Sequence, residues 1–284
     1  MRKHIAIFIF ALCPTVWLNG QTVADSLAIV SAPWEVINAR KGVVHKRVAI
    51  PQLYRGAQCI NLIEVDPQQG RRMGIAFSAE MKKTSVMAAE QHAIAAINGS
   101  YFSMKRGSSV CFLKVGKQVI DTTSISELNK RVTGAVYERK GKMKLVPWDR
   151  QIEKNYKGAK GTVLASGPLM LQAGELCDWS ACDPGFIRDK HPRSAVGTTK
   201  EGKILLVTVD GRCPGRAEGV NIPELAHLMR VLGGKEALNL DGGGSTTLWL
   251  SGAPENGVVN CPSDNKKFDH DGERVVANIL YIGR

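Results

Sequence analysis

The sequence predicts an α+β fold, a single domain of mixed and antiparallel sheets flanked by helices. Short segments rich in β-branched residues recur along the chain, and turn residues separate them. Two segments, beginning near residues 84 and 221, have the apolar spacing of amphipathic helices instead. No repeat, linker or low-complexity stretch divides the 284 residues. A chain of this length can bury a substantial core as one domain.

Residues 1–20 have the pattern of a secretory signal peptide. Two basic residues precede an apolar run over residues 5–12, which is too short to anchor the chain in a bilayer. Cleavage after Gly20 would leave residues 21–284 as the mature domain. We therefore expect a secreted or periplasmic protein with no integral membrane segment after cleavage. The sequence does not predict an oligomeric state.

In the N-terminal half, strands are predicted first and then one helix. Alternating apolar residues predict strands at residues 42–50 and 59–65. Helical spacing begins at Thr84 and continues to Ile97, and either Thr84 or Ser85 can cap the helix. Residues 110–146 read as a meander of short strands separated by glycines.

In the C-terminal half, the predicted strands surround the clearest helix. Residues 161–171 form a strand region, and residues 195–209 form a hairpin around a Glu-Gly turn. Asn221 is the expected N-cap of the helix, which has proline in its first turn and a glycine pair at its end. Strands at residues 237–241 and 275–282 follow.

The most informative motif lies in residues 239–250, where one acid and three consecutive glycines separate two strand-like segments. Glycines add nothing to a core, so their expected role is close approach of the backbone to a ligand. Asp241 then lies at a strand end, and successive N–H groups of the turn can form an anion-binding concavity. The alternative is a tight turn between two buried strands.

Three further segments combine small, polar and charged residues in the same way, at residues 98–102, 192–197 and 209–212. Together with residues 239–245, and in this order along the chain, they resemble the motifs of the phosphodiester glycosidase family. The resemblance is strongest over residues 84–284. One such motif alone is weak, but the whole set in order is specific.

The resemblance implies an enzyme that hydrolyses a sugar-1-phosphodiester and releases the sugar and a phosphate monoester. The bond cleaved is the anomeric C–O bond, and the partner is a phosphorylated glycan or a small sugar-1-phosphodiester. Such a reaction passes through an oxocarbenium-like transition state, which a carboxylate stabilises. Two alternatives remain, a phosphodiesterase that attacks phosphorus in the same substrates and a glycan-binding module without turnover.

Four residues are candidates for catalysis under this resemblance. Asp241 is the expected nucleophile or charge stabiliser, because it lies at a strand end beside the glycine turn. Asp210 is a second candidate, although Asp-Gly is also an ordinary turn sequence. Glu224 matches a family position for an acid or base, but a glutamate three residues after an Asn cap is also a capping box. Arg193 carries a planar fork that suits phosphate.

The substrate-binding residues that the resemblance implies surround these four. The hydroxyl next to Arg193 and the guanidinium of Arg274 are expected to bind phosphate, although a buried ion pair explains Arg274 nearly as well. The aromatic pair at residues 101–102 can stack on a sugar face or fill the core. The expected binding residues are Asn98, Gly99, Ser100, Tyr101, Phe102, Ser194, Gly242, Gly243, Gly244, Ser245, Thr246 and Arg274.

Charge and cysteine content restrict the partners further. The formal net charge of +12 favours anionic partners, but the basic residues are scattered and no nucleic-acid motif is present. The spacing of histidines and carboxylates predicts no metal site, and no cofactor is expected. Of the seven cysteines, Cys13 lies in the predicted signal. The other six predict three disulfides, with Cys177 and Cys182 as the favoured local pair.

Overall fold

The computed structural model describes residues 22–158 and 160–284, so the predicted signal peptide lies outside the described residues. The predicted α+β fold class is confirmed, and the described strands pair in antiparallel sheets. No helix in this part of the chain has the length and hydropathy needed to cross a membrane. The described α-helices are α1 (Val23–Val30), α2 (Thr84–Glu90), α3 (Ile125–Lys130), α4 (Arg150–Asn155), α5 (Pro184–Arg188) and α6 (Ile222–Val231).

Nineteen strands are assigned within the described residues. They are β1 (Glu35–Arg40), β2 (Val43–Leu53), β3 (Gly56–Val65), β4 (Arg72–Lys83), β5 (Ala95–Asn98), β6 (Phe102–Ser103), β7 (Ser108–Ser109), β8 (Leu113–Val115), β9 (Gln118–Asp121), β10 (Gly134–Arg139), β11 (Lys142–Pro147), β12 (Thr162–Ser166), β13 (Leu169–Gln172), β14 (Glu175–Leu176), β15 (Arg193–Thr199), β16 (Ile204–Val209), β17 (Gly234–Asn239), β18 (Leu248–Leu250) and β19 (Val275–Gly283).

The strands form three main sheets and one short ribbon. The central sheet has eight strands in the order β1-β2-β3-β16-β15-β17-β13-β14. A five-stranded sheet has the order β11-β10-β12-β8-β9, and a four-stranded sheet the order β18-β5-β19-β4. Strands β6 and β7 form the ribbon. Chain neighbours β15 and β16 confirm the predicted hairpin.

The middle strands β15 and β16 of the central sheet are buried on both faces, whereas the edge strands β1 and β14 are largely exposed. Alternate residues of a strand point to opposite sides. Ala195 and Leu205 pack in the cluster that contains the apolar face of α6. Val196 and Leu206 pack in a second cluster with Ile97 and residues of the other two main sheets. The α6 side and the side facing the smaller sheets therefore form two separate apolar layers.

The helix predicted from Thr84 is shorter than its apolar spacing suggested. Helix α2 ends at Glu90, and Ile97 belongs to β5 instead. His92 has a φ of 49°, in the left-handed region that ends a helix. Lys83 is the N-cap, without a side-chain cap bond, so neither Thr84 nor Ser85 caps the helix as expected. The predicted helix was too long, because residues 95–98 pair as a strand with β18 and β19.

The four motif segments meet at one edge of the central sheet. Arg193 at the start of β15 pairs with Val209 at the end of β16, and Ala195 pairs with Asn239 at the end of β17. In antiparallel strands, one strand begins where its neighbour ends. Strand β5 ends at Asn98, whose side chain reaches the same edge. The strand order therefore brings together segments that are far apart in sequence.

Candidate active site

A cavity of about 360 Å³ opens at this edge of the central sheet. Asp241, Gly242 and Gly243 form part of its wall, together with residues of the α5 region. Eight of its twelve lining residues have charged or titratable side chains. The charged and titratable side chains that line it are Lys130, Arg131, Asp183, Asp189, His191, Arg193, Arg212 and Asp241.

Asp241 follows β17 and is held in place through its backbone. Its N–H donates to the carbonyl of Gly99 (2.9 Å), and its carbonyl accepts from Asn98 Nδ2 (2.6 Å). Its carboxylate Oδ1 accepts from the N–H of Gly242 (3.0 Å). Burial raises the pKa of this carboxyl, while the Ser245 hydroxyl and the positive charge of Arg131 act in the opposite direction.

Asn98 acts as a buried clamp behind Asp241. Its Oδ1 accepts from Ser194 Oγ (2.7 Å) and from the N–H of Thr247 (3.1 Å). Asn98 and Ser194 are both fully buried, and neither lines the cavity. These two expected binding residues therefore lie behind Asp241 instead of facing the cavity, since Asn98 holds the backbone of Asp241 and Ser194 holds Asn98.

Arg193 lines the cavity but uses most of its guanidinium to hold the surrounding loops. Nε donates to Val220 O (3.2 Å), and Nη2 donates to Phe186 O (3.0 Å) and Asp189 O (2.9 Å). In the described residues, Nη1 has no hydrogen-bond partner. Arg193 is only 2% exposed, and burial lowers its pKa to about 10. A single free N–H₂ group is left for a ligand.

Arg131 is a cavity residue that the sequence analysis missed. Its guanidinium lies 3.6 Å from the ring centroid of Tyr101. Nε and Nη2 donate to the two carboxylate oxygens of Glu127 at 2.6 and 3.1 Å. Arg131 follows helix α3, outside every motif of the sequence. The only local sign of Arg131 in the sequence is Glu127, four residues earlier. Such ion pairs are common on helices and do not indicate a site.

His191 was also missed, although it lies two residues before Arg193. It lines the cavity. Burial lowers its pKa, and the positive charges of Arg193 and Arg212 lower it further. The imidazole is therefore neutral at pH 7 and able to accept a proton.

Close approach explains each glycine of the triplet, but the groups that approach belong to the protein. A Cβ at Gly242 would lie 2.6 Å from Pro192 O. Gly243 has a φ of 62°, and its Cβ would lie 2.8 Å from Arg212 Nη2. A Cβ at Gly244 would lie 2.5 Å from Arg274 Nη2.

The N–H groups of the glycine turn are largely used within the protein. Gly242 N donates to Asp241, and Gly243 N donates to Pro192 O (2.8 Å). The N–H groups of Ser245 and Thr246 close the short turn itself at 3.2 Å. The expected anion-binding concavity is therefore limited to one N–H group, that of Gly244. Positive charge in the cavity comes from guanidinium and ammonium groups instead.

Residues 99–102 form the buried wall behind the cavity. Gly99 lies against Asn278, whose Oδ1 would meet any Cβ placed there. Ser100 donates from its N–H to Asn278 Oδ1 (2.7 Å) and from Oγ to a backbone carbonyl (2.6 Å). Tyr101 is 2% exposed beneath Arg131, and Phe102 is half-buried in a core cluster. The aromatic pair thus packs inside the protein in this structure.

Asp210 does not line the cavity of Asp241. It faces a different cavity of about 610 Å³, together with Cys59, Cys261 and Arg216. Its Oδ1 accepts from Asn260 Nδ2 (2.9 Å) and from the N–H of Cys261 (3.1 Å). Burial raises its pKa to about 7. The two strand-end aspartates are therefore separated by the fold.

Glu224 lies in a separate cavity and completes the capping box of α6. The N–H of Asn221 donates to Glu224 Oε2 (3.0 Å), and the N–H of Glu224 donates to Asn221 Oδ1 (2.9 Å). Lys190 Nζ lies 3.1 Å from the other carboxylate oxygen. This cavity is lined by residues such as Tyr54 and Asp25, away from Asp241. The structural interpretation of Glu224 accounts for both its oxygens.

Neither a disulfide nor a metal-binding cluster is present among the described residues. The predicted Cys177–Cys182 pair is not formed, and no other bridge is formed among the described cysteines. The free thiols are Cys59, Cys111, Cys177, Cys182, Cys213 and Cys261. Within residues 22–158 and 160–284, no group of three or more His, Cys, Asp or Glu side chains is arranged to hold a metal ion.

The family of the chain follows from comparison with known proteins. The family model of the phosphodiester glycosidases matches residues 91–283. The chain belongs to this family of hydrolases.

Among individual relatives, mouse N-acetylglucosamine-1-phosphodiester alpha-N-acetylglucosaminidase is 38% identical over 80 residues. That alignment covers 28% of this chain and 14% of the mouse protein, so most of the mouse protein has no counterpart in the match.

Solved structures agree on the fold. The catalytic domain of the zebrafish enzyme of the same name, auto-inhibited by its pro-peptide, has a TM-score of 0.67 at 17% identity, covering 91% of this chain and 93% of that one. A Burkholderia pseudomallei K96243 protein, provisionally described as exported, has a TM-score of 0.61 at 18% identity, covering 83% and 76%. These identities establish a shared fold alone.

Proposed function

We propose that the protein is an exported hydrolase that cleaves the anomeric C–O bond of a sugar-1-phosphodiester and releases the sugar and a phosphate monoester. The observation that carries this proposal is the single cavity in which Asp241 lies among the cations Lys130, Arg131, Arg193 and Arg212. A carboxylate among cations suits a substrate that develops positive charge at carbon and negative charge on phosphate.

Asp241 is the group we place at the anomeric carbon. Its backbone is fixed on both sides by Asn98 and Gly99, so the carboxylate is preorganised. The positive charge of Arg131 favours its ionised form, against the effect of burial. An ionised carboxylate can stabilise the oxocarbenium-like transition state directly or form a glycosyl intermediate.

The cations serve the departing phosphate. Arg193, Arg212 and Lys130 form no ion pair in the described residues, so their charges are available to a ligand. A phosphate monoester needs little protonation to leave, because positive charge stabilises it as the anion. The cavity therefore requires no strong general acid.

A base is still needed to activate the attacking water. Asp210 and Glu224 lie in other cavities, which leaves Asp183, Asp189 and His191. Asp183 Oδ1 already caps helix α5 by accepting from the N–H of Phe186 (2.7 Å). We place the neutral His191 in this role, because its lowered pKa keeps it free to accept a proton.

One observation favours the second candidate function, a phosphodiesterase that attacks phosphorus. His191 lies in the cavity with the cations, and the same neutral imidazole can activate water toward phosphorus. Both functions use one substrate class and differ in the bond that breaks.

Hydrolysis in ¹⁸O-labelled water distinguishes them. A panel of sugar-1-phosphodiesters is first screened for turnover. With the cleaved substrate, we expect the phosphate monoester to remain unlabelled and the sugar to carry the label at its anomeric hydroxyl. The sugar must be analysed at once, since its anomeric oxygen exchanges with water. Label in the phosphate would reject C–O cleavage and establish attack at phosphorus.

Export is tested separately. Fractionation of the source cells, followed by N-terminal sequencing, should find a mature chain that begins at Gln21 outside the cytoplasm. An uncleaved cytoplasmic chain would contradict this part of the proposal.

A further inference from the structure

A second cavity, of about 270 Å³, adjoins the glycine turn. Arg212 lines both this cavity and the one that contains Asp241. Arg212 has a φ of 62°, in the left-handed region that side chains rarely adopt. Such backbone strain is common at functional sites. Its guanidinium lies over Gly243, where a Cβ would come within 2.8 Å. One exposed arginine thus connects the two cavities.

The second cavity carries more positive charge than the protein itself neutralises. Lys266, Lys267 and Arg274 line it with Arg212, against the single carboxylate of Asp264. Asp264 Oδ1 already accepts from Arg274 Nε (2.9 Å). No other ion pair involves these four cations in the part of the chain that the structure describes. Three cationic side chains therefore remain without a carboxylate partner.

Ser263 adds a hydroxyl donor to the three unpaired cations. It lines the same cavity and is only 8% exposed. Within the described residues, its hydroxyl has no hydrogen-bond partner. A buried hydroxyl without a partner is costly, and a ligand oxygen would supply that partner. Hydroxyl, guanidinium and ammonium donors together form the kind of donor set that binds phosphate.

We propose that this second cavity binds another phosphate of the substrate, next to the diester that is cleaved. The preferred substrate is then a glycan with a phosphate on the aglycone side, as in a chain that repeats the sugar-phosphodiester unit. The inference rests on the proposed function and specifies its substrate class. A lone diester carries one negative charge, which the cations around Asp241 can meet without the second cavity.

Two synthetic diesters of the same sugar test the inference. One has a neutral alkyl aglycone, and the aglycone of the other ends in a phosphate. We expect the wild-type protein to favour the second substrate by about tenfold in kcat/KM, mainly through KM, because the added charge is met by unpaired cations. In Lys266→Gln/Lys267→Gln this preference should fall to about one- to twofold.

Lys266 and Lys267 lie in the loop before β19, and the matched control removes two exposed lysines from a strand of the five-stranded sheet. Lys142→Gln/Lys144→Gln changes the net charge equally, on β11, and should retain the preference. Equal preferences in the two double variants, or none in the wild-type protein, would overturn the second phosphate site. Activation of the neutral diester by added inorganic phosphate would also overturn it, since free phosphate would then be the ligand.

Failure of the proposed function gives a different result. If the wild-type protein hydrolyses neither diester, the activity is wrong, and calorimetry with the two-phosphate compound still tests the cavity. Binding weakened by Lys266→Gln/Lys267→Gln and not by the control supports the second site, and equal binding by all three proteins rejects it.

Discussion

Two aspartates, each at a strand end and followed by glycine, differ at the residue scale in what surrounds them. Asp241 lies among four cations, whereas Asp210 accepts hydrogen bonds from Asn260 and Cys261 in another cavity. Both are catalytic candidates by sequence, because their local patterns are alike. Their burial and partners separate them.

Substitution by asparagine should therefore impair turnover at Asp241 and not at Asp210. Asp241→Asn should lower kcat by at least about a hundredfold, because it removes the charge that stabilises the transition state. Asp210→Asn should leave kcat close to the wild-type value. Steady-state kinetics on the same cleaved diester measure both. Near-normal turnover by Asp241→Asn would disprove the assignment, and thermal melts show whether each variant is folded.

Asp210 should instead govern stability as a function of pH. Its pKa is about 7 in the folded protein, compared with an ordinary value of 3.8. Between these two values the native state holds a proton that the unfolded chain has lost. Stability should therefore fall as pH rises from about 4 to about 7, by a few kcal/mol in the free energy of unfolding.

Denaturant melts of the wild-type protein and Asp210→Asn across this range measure the effect. The asparagine keeps an oxygen acceptor for Asn260 and loses the ionisation, so its profile should be flatter and its advantage greatest above pH 7. Parallel profiles would show that Asp210 ionises as it does in water.

Arg131 should set the acid limb of activity. Its charge lowers the pKa of Asp241 against the effect of burial. Arg131→Met keeps a long side chain over Tyr101 but removes the charge, so the pKa of Asp241 should rise. The acid limb of kcat/KM should then move to higher pH by about one unit. Arg131→Lys, which retains the charge, should leave the limb in place. If the acid limb of kcat/KM lies at the same pH in all three proteins, Arg131 does not set the pKa of Asp241.

At the element scale, helix α6 was predicted most completely from sequence. Asn221, the early proline and Glu224 together gave its start, and the capping box is present with both hydrogen bonds. A helix start depends on contacts between near neighbours in the chain. Helix α2 shows the opposite case, since its apolar spacing continued into a segment that pairs as β5 with two distant strands.

Glu224 should therefore matter to stability rather than to turnover. Glu224→Ala removes one half of the capping box and the ion pair with Lys190, and should cost about 1 kcal/mol in the free energy of unfolding. Glu224→Gln keeps a side-chain acceptor for the Asn221 N–H and should cost less. Both variants should retain wild-type kcat. A large loss of kcat at unchanged stability would restore Glu224 as an acid or base.

At the scale of the whole molecule, the fold brings Cys59 and Cys261 to one cavity, although both are free thiols in the structure. Cys59 and Cys261 have pKa values of about 11 and about 12, raised first by burial and then by Asp210, and each is influenced by a neighbouring thiol. Cys59 and Cys261 line the same cavity, and Cys213 is near enough to Cys59 to contribute to its raised pKa. Cys59 can form a bridge with only one of them.

We predict that the mature chain, once in an oxidising compartment, contains one bridge from Cys59 to Cys213 or Cys261. Peptide mapping of the alkylated, unreduced protein should identify it. Reduction should lower the free energy of unfolding by about 2–4 kcal/mol, an effect that Cys59→Ser should abolish. Recovery of every cysteine as an alkylated thiol would contradict both the bridge and the oxidising compartment on which it depends.

The sequence by itself determined the features that depend on local chemistry. The central hairpin, the capped helix and the ordered motifs of the family follow from residue type and spacing, because turns, caps and alternation involve neighbours in the chain. The three consecutive glycines after Asp241 were also visible in the sequence. The protein groups that lie against them were not.

Only the tertiary structure decided which of the candidate residues share a cavity. It placed Asp210 and Glu224 away from Asp241, and it turned Asn98 and Ser194 into supports for the site. It also brought Arg131 to the cavity from a helix with no motif. The physical reason is that strand order and register set which chain segments meet at a sheet edge, and these depend on pairing between residues far apart in sequence.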